Sequence, residues 1–143
     1  TWPFDCTDYY EAQMGAGLLR RIWAFGELIN PGEIAEIKLA TNEMERELAG
    51  RLDGPARPVN LDPGYVGAGQ MVLATTKPYA HRIYVERGIW AEVTLRWREG
   101  AFEPWDWTYP DYRTDGYREF FARVRQRCME QRGAEAADSG DKD

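Results

Sequence analysis

From Ile89 to Trp97 the chain alternates without a break, with Ile89, Ala91, Val93, Leu95 and Trp97 on one parity and Trp90, Glu92, Thr94 and Arg96 on the other. Successive side chains leave a β-strand on opposite sides, so this period of two predicts a strand with one face on a core. Glu86-Arg87-Gly88 before it and Arg98-Glu99-Gly100 after it are short segments ending in glycine, the composition of tight hairpins. A strand entered and left that way cannot sit in a parallel sheet, whose crossovers need a dozen or more residues. The polar parity, Glu92, Thr94, Arg96 and Arg98, is expected to be wetted or to line a cleft.

The other elements follow from the same rules. Met71 to Thr76 and Arg82 to Val85 read as strands, Pro58 to Leu61 as a short strand, and Asp62-Pro63-Gly64 as a tight turn, together an antiparallel meander. Trp2 to Phe4, broken by Pro3, reads as an edge strand or a packed arm. Asp8 with Glu11 is a possible capping box, and Tyr10, Met14, Leu18 and Ile22 at steps of four predict a helix of about four turns, weakened by Gly15 and Gly17. Asn30-Pro31 with Glu33 starts a second helix that runs to Gly50 with Ile34, Ile37, Thr41, Met44 and Leu48 inward, and with Glu36, Glu43, Arg46 and Glu47 on a solvated face. The aromatic and proline-rich stretch from Pro104 to Tyr112 reads as a packed non-helical segment. A last helix, Tyr117 to roughly Arg132, presents Tyr117, Phe120, Phe121, Val124 and Cys128 on one face.

The fold class expected is α+β: an antiparallel sheet of about four or five strands between Pro58 and Phe102, with three helices packed mainly on one face. A doubly wound parallel sheet is the alternative, and the short connections count against it. Residues 1–132 are read as a single domain and 133–143 as a disordered acidic tail. A net charge of −6 argues against generic attraction to nucleic acid or an anionic membrane. Cys6 and Cys128, without a CxxC pair, and the lack of a long apolar run or leader-like segment point to a cytoplasmic protein with reduced thiols. The absence of an initiator Met means that residues preceding Thr1 are expected.

Chemistry concentrates around the single histidine. Thr75-Thr76-Lys77-Pro78-Tyr79-Ala80-His81-Arg82 brings hydroxyls, an amine, an imidazole and a guanidinium to adjoining strand ends. Thr76, Lys77 and Arg82 can therefore grip a phosphate or carboxylate. The same residues also fit a solvated loop with a structural histidine. Asp62, His81 and Glu92 are the acid, base or divalent-cation candidates. The bland reading has Asp62 capping its own turn and Glu92 pairing with Arg82 or Arg96. Tyr109 and Asp111 offer an aromatic wall and an acid to the same pocket. Arg82→Ala is expected to weaken anion binding by about 1.5–3 kcal/mol with little loss of stability, unless Arg82 is Glu92's structural partner. No cofactor is specified. A small anionic ligand, possibly a nucleotide, is the expected partner, and a non-catalytic protein-interaction module is the alternative.

Asp8-Tyr9-Tyr10 with Met14-Gly15, Lys38 to Asn42, Asn60-Leu61-Asp62-Pro63-Gly64-Tyr65, Leu73-Ala74-Thr75-Thr76-Lys77, His81-Arg82-Ile83-Tyr84, Gly88 to Leu95 and Trp107 to Tyr112 together resemble an uncharacterised bacterial family catalogued as a domain of unknown function. Its members often carry the automatic label "GTP-binding protein". The resemblance spans Trp2 to about Arg127. Family members usually have several dozen further residues before the Trp2 region, and many have an acid where Pro78 stands. The label itself implies a guanine-reading Asp three residues after the Lys of a Thr-Lys pair. Thr76-Lys77 is followed there by Ala80, and no GxxxxGK[ST] loop occurs, which counts against an ordinary GTPase.

Overall fold

The structure, a computed structural model, describes residues 1–140, with side chains through residue 134. In chain order the elements are β1 (Trp2–Pro3), α1 (Glu11–Met14), β2 (Leu19–Arg20), α2 (Ile34–Arg51), β3 (Gly64–Val66), β4 (Gln70–Thr75), β5 (Ile83–Glu86), β6 (Ile89–Arg98), β7 (Ala101–Pro104) and α3 (Asp115–Gly140). Two 3₁₀ turns, Pro31–Glu33 and Pro110–Arg113, precede α2 and α3. The class is α+β, with a five-stranded antiparallel sheet and a separate two-stranded ribbon of β1 and β2.

Both hairpins form as their sequences predict. Arg87 and Gly88 (φ 50° and 79°), then Glu99 and Gly100 (φ 50° and 84°), are successive left-handed pairs, the backbone whose twist suits a two-residue hairpin. The sheet is nevertheless no meander. Its order is β3-β4-β6-β5, with β7 on the same side of β6 as β5. Residues 76–82 must therefore cross β6 to pass from β4 to β5. Pro58 to Leu61 forms no strand, and Asp62-Pro63-Gly64 is no tight turn but leads straight into β3. There a Cβ on Gly64 would stand 2.2 Å from the Val72 carbonyl oxygen, so only glycine lets the strands approach.

The alternation of β6 does not survive intact. Met71 pairs with Leu95 and Val72 with Val93, so Thr94 is an extra residue on β6, a β-bulge that reverses which parity faces which side. Ile89 packs with Ala74, Ile34 and Ala35 beneath α2, whereas Leu95 and Trp97 pack with Met71, Phe102, Tyr117 and Phe121 beneath α3. Met71 and Ala74 lie three apart on a regular strand, so these clusters occupy opposite faces. The helices divide between both faces rather than gathering on one.

Each helix departs from expectation in one respect. The four-turn helix after Asp8 shrinks to α1, because Gly15 and Gly17 adopt left-handed φ (85° and 70°) and turn the chain back. Leu19 and Arg20 then pair with Pro3 and Trp2, and Phe4 N donates to Leu18 O at 2.9 Å. On the 3₁₀ turn that leads into α2 the Asn30 cap forms: Asn30 Oδ1 accepts from Gly32 N at 3.0 Å, and Glu33 Oε2 accepts from Asn30 N at 3.1 Å. The inward stripe, however, is Ile34, Ala35 and Lys38, and Met44 is half exposed. Helix α3 continues to Gly140 through much of the stretch expected to be a disordered tail. Extending an existing helix through Ala134, Ala136 and Ala137 is far cheaper than starting one. Residues 141–143 lie outside those described. No helix among the described residues is long and apolar enough to cross a membrane.

Candidate functional site

The crossing of β6 explains the fate of its polar parity. Residues 76–82 lie over Glu92, which is only 2% exposed. Glu92 Oε2 lies 2.8 Å from His81 Nε2 and accepts from Arg82 Nε at 2.8 Å, and its Oε1 accepts from Thr94 Oγ1 at 3.3 Å. Arg82 also donates to Lys77 O (2.9 Å) and Tyr109 OH (3.4 Å). Its side chain, 8% exposed, has every nitrogen engaged. At Glu92 and Thr94 the parity expected to be wetted or to line a cleft is thus a buried, paired seam, since buried charge must find its partners, whereas past the bulge Arg96 pairs with Glu103 and Arg98 stays exposed. Next to it, His81 stacks on Trp107 (4.9 Å, 14°), which stacks on Trp105 (5.1 Å, 11°), while Trp107 Nε1 donates to Val93 O at 2.9 Å. Lys77 and Tyr109 reach solvent at its edge.

Asp62 and Asp111 belong to a different cluster, around Arg20. Arg20 Nη1 is 3.7 Å from Asp62 Oδ2 and donates to Tyr112 OH at 3.3 Å, and Arg20 Nε is 3.4 Å from Asp111 Oδ2. Burial raises the Asp111 carboxyl above its ordinary value, opposed by Arg20, and its Oδ2 is buried without a hydrogen bond. Asp62 also accepts from Asn60 Nδ2 at 2.8 Å. The set Asp62, His81 and Glu92 is therefore not assembled as a cation site. Among the described residues no group of three or more His, Cys, Asp or Glu could hold a metal.

Thr76 faces neither cluster. It lines an open groove of about 590 Å³ with Gln13, Lys38, Asn42, Glu45, Arg46 and Arg57. Helix α2 supplies Lys38, Asn42 and Glu45, four and three residues apart on one face. Lys38 Nζ donates to Leu61 O at 2.7 Å, and Glu45 Oε1 accepts from Leu61 N at 2.6 Å. Two side chains thus satisfy a peptide that no strand pairs. Arg57 bonds to Asn60 and lies 3.4 Å from Glu45 Oε2. Burial lowers the Lys38 amine below its usual value, against the opposing pull of Asp62 and Glu45.

The sequence marks none of Arg20, Lys38, Glu45, Arg57 and Asn60 as a site residue, although Lys38 and Asn60 stand within the motifs that carry the family resemblance. Arg20 was hidden inside a helix that does not form. Lys38 and Glu45 sat just off a stripe chosen about one residue out of phase, and Arg46, assigned to the solvated face, stands at the groove. The legible clue was Lys38 itself, a charged residue four positions after Ile34, on the side that buries the helix. A family model described as a domain of unknown function (DUF4416) matches residues 1–128. No curated protein and no solved structure matches the chain.

Proposed function

The chain belongs to the DUF4416 domain family, and we propose that it binds a small anionic ligand, a nucleotide or another phosphate-bearing metabolite. The observation that carries this reading is the groove over α2, where three cations, Lys38, Arg46 and Arg57, meet two carboxylates, Glu45 beside Arg57 and Glu43 paired with Arg46 at the rim, and where Thr76, Asn42 and Gln13 add neutral polar groups. Convergent cations with hydroxyl and amide groups are what phosphate oxygens require. The surplus is local, because the chain as a whole carries −6. In this reading the seam of His81, Arg82 and Glu92 fixes the 76–82 crossing and so holds Thr76 at the groove wall, with Lys77 free to reach an incoming anion. A nucleotide is held by these side chains, since the chain lacks a phosphate loop. The protein works in the cytoplasm, where Cys6 and Cys128, free in this fold, stay reduced.

The test is a thermal-shift series of inorganic phosphate, nucleotides and sugar phosphates, because a ligand that binds only the native state raises the midpoint. A rise that Arg57→Ala abolishes supports the groove. No shift with any of them removes the reading. A second reading, a protein-interaction module, draws on β5, which among the described residues pairs only with β6 and leaves Ile83 71% exposed beside Tyr84 and Val85. Such an edge invites an added strand. A stoichiometric partner lost on Ile83→Lys would favour it.

A further inference from the structure

Resting on the anion-binding reading for the charged end of its substrate, we infer that Lys38 is a nucleophilic amine that forms an imine with a small molecule carrying an aldehyde or ketone beside a carboxylate or phosphate. The first support is compositional. The chain has three lysines, Lys38, Lys77 and Lys142, against fifteen arginines, and arginine performs the structural tasks of cations elsewhere, as at Arg20, Arg82 and Arg113. Arginine stays charged at any pH relevant to a protein, whereas lysine can lose its proton when buried. At this buried site the chain places the residue able to become a free amine.

The second support is geometric. Lys38 is 5% exposed and lines the groove. Among the described residues its ammonium has one hydrogen bond, to Leu61 O, and no carboxylate within 4 Å. A buried lysine is ordinarily paired. This one is desolvated without a contacting counter-charge, the arrangement that lowers an amine's proton affinity and frees its lone pair. As a neutral amine it still donates one N–H to Leu61 O, which orients the nitrogen while the lone pair points elsewhere. Arg57, held by Asn60 and Glu45, and Arg46, paired with Glu43, line the same groove, and on exchanging those partners for the carboxylate or phosphate they deliver the carbonyl carbon beside Nζ.

The step balances without an oxidant or reductant. The Nζ lone pair forms the C–N bond and the carbonyl π pair moves to oxygen. That oxygen collects the two protons of the original amine and leaves as one water, and the C=N double bond remains.

The experiment uses the full chain with glyoxylate, the smallest aldehyde that carries a carboxylate, and sodium cyanoborohydride to reduce any imine to a stable amine. Peptide mass spectrometry over time reads each lysine separately, with exposed Lys77 as the internal standard. Lys38 is expected to be labelled several times faster than Lys77 at neutral pH, since burial leaves a larger share of its amine unprotonated. Inorganic phosphate is expected to slow Lys38 alone. Labelling of Lys38 no faster than that of Lys77 overturns the inference. If phosphate raises the unfolding midpoint in that same protein, the anion-binding reading survives the loss. Fast labelling of Lys38 in a protein whose midpoint no anion moves upholds the imine and removes the anion reading instead.

Discussion

Replacing Glu92 with alanine tests whether the seam between the 76–82 crossing and β6 is structural. The carboxylate accepts from Arg82 Nε at 2.8 Å and from Thr94 Oγ1 at 3.3 Å, and it lies 2.8 Å from His81 Nε2. The two side chains of the ion pair are 3% and 8% exposed, so solvent neither screens them nor replaces a lost partner. A hydrogen bond to a charged group contributes about 1.5–3 kcal/mol, and removing one partner of a buried pair strands the other, for a total of about 3–5 kcal/mol. Arg82→Ala should cost about 3 kcal/mol by the same argument, because Glu92 keeps His81 as a neighbour. The double variant should fall short of the sum of the singles by about 2–3 kcal/mol, the coupling expected of contacting groups. Urea denaturation of the four proteins measures this, with an unchanged slope confirming that the unfolding reaction is the same. Single losses below about 1 kcal/mol that simply add would refute the reasoning and return Arg82 to the role of a free anion grip. The sequence leaves two outcomes open, Arg82→Ala sparing stability as an anion grip or destabilising the fold as Glu92's partner; the observed pairing predicts the second.

Three further perturbations have worked signs. Lys38→Met leaves the Leu61 carbonyl without its donor, a loss of about 1–3 kcal/mol at neutral pH by urea denaturation. The folded Lys38 amine titrates below 10.5, so between its folded value and 10.5 the native state holds fewer protons than the unfolded chain and this group's contribution to stability rises with pH; the variant's stability curve should lack that rise. Asp111 titrates above 3.8 in the fold, so across the window upward from 3.8 the native state holds more protons, and its contribution declines as pH rises. The difference between wild type and Asp111→Asn should therefore fall with pH in that window. Gly64→Ala drives a Cβ to 2.2 Å from Val72 O, which forces β3 off β4 at a cost of about 1–3 kcal/mol and should deprotect the amides of Gly64–Val66 to hydrogen exchange.

What the residues determine locally, they determine well. The Asn30-Pro31-Glu33 cap and the turns at Arg87-Gly88 and Glu99-Gly100 form as read, because caps and tight turns depend on φ preferences and hydrogen bonds within four residues. The strands 70–75, 83–86 and 89–98 and the stripe of Tyr117 and Phe121 are likewise visible as periodicity. So is the crowding of Thr76 to Arg82 near Glu92, although periodicity cannot say whether such a crowd binds a ligand or itself.

The rest was decided by pairings between distant segments. The helix expected after Asp8 lost to a ribbon because Trp2 and Arg20 meet across a reversal that Gly15 and Gly17 permit. The insertion of Thr94 into β6 carries no mark of its own, since a bulge exists only relative to the partner strand, yet it assigns Ile89 and Leu95 to opposite cores. Strand order is equally invisible along the chain: β5 on the far side of β6 from β4 sends residues 76–82 across Glu92 and buries its carboxylate in a paired seam. The groove exists only because the stretch around Leu61 forgoes strand pairing and takes Lys38 and Glu45 as its partners, a bargain between residues 16 and 23 positions apart. Local chemistry sets which elements can form, and burial of the whole chain then selects among their arrangements, because the contacts that decide each case are made only when remote segments come together.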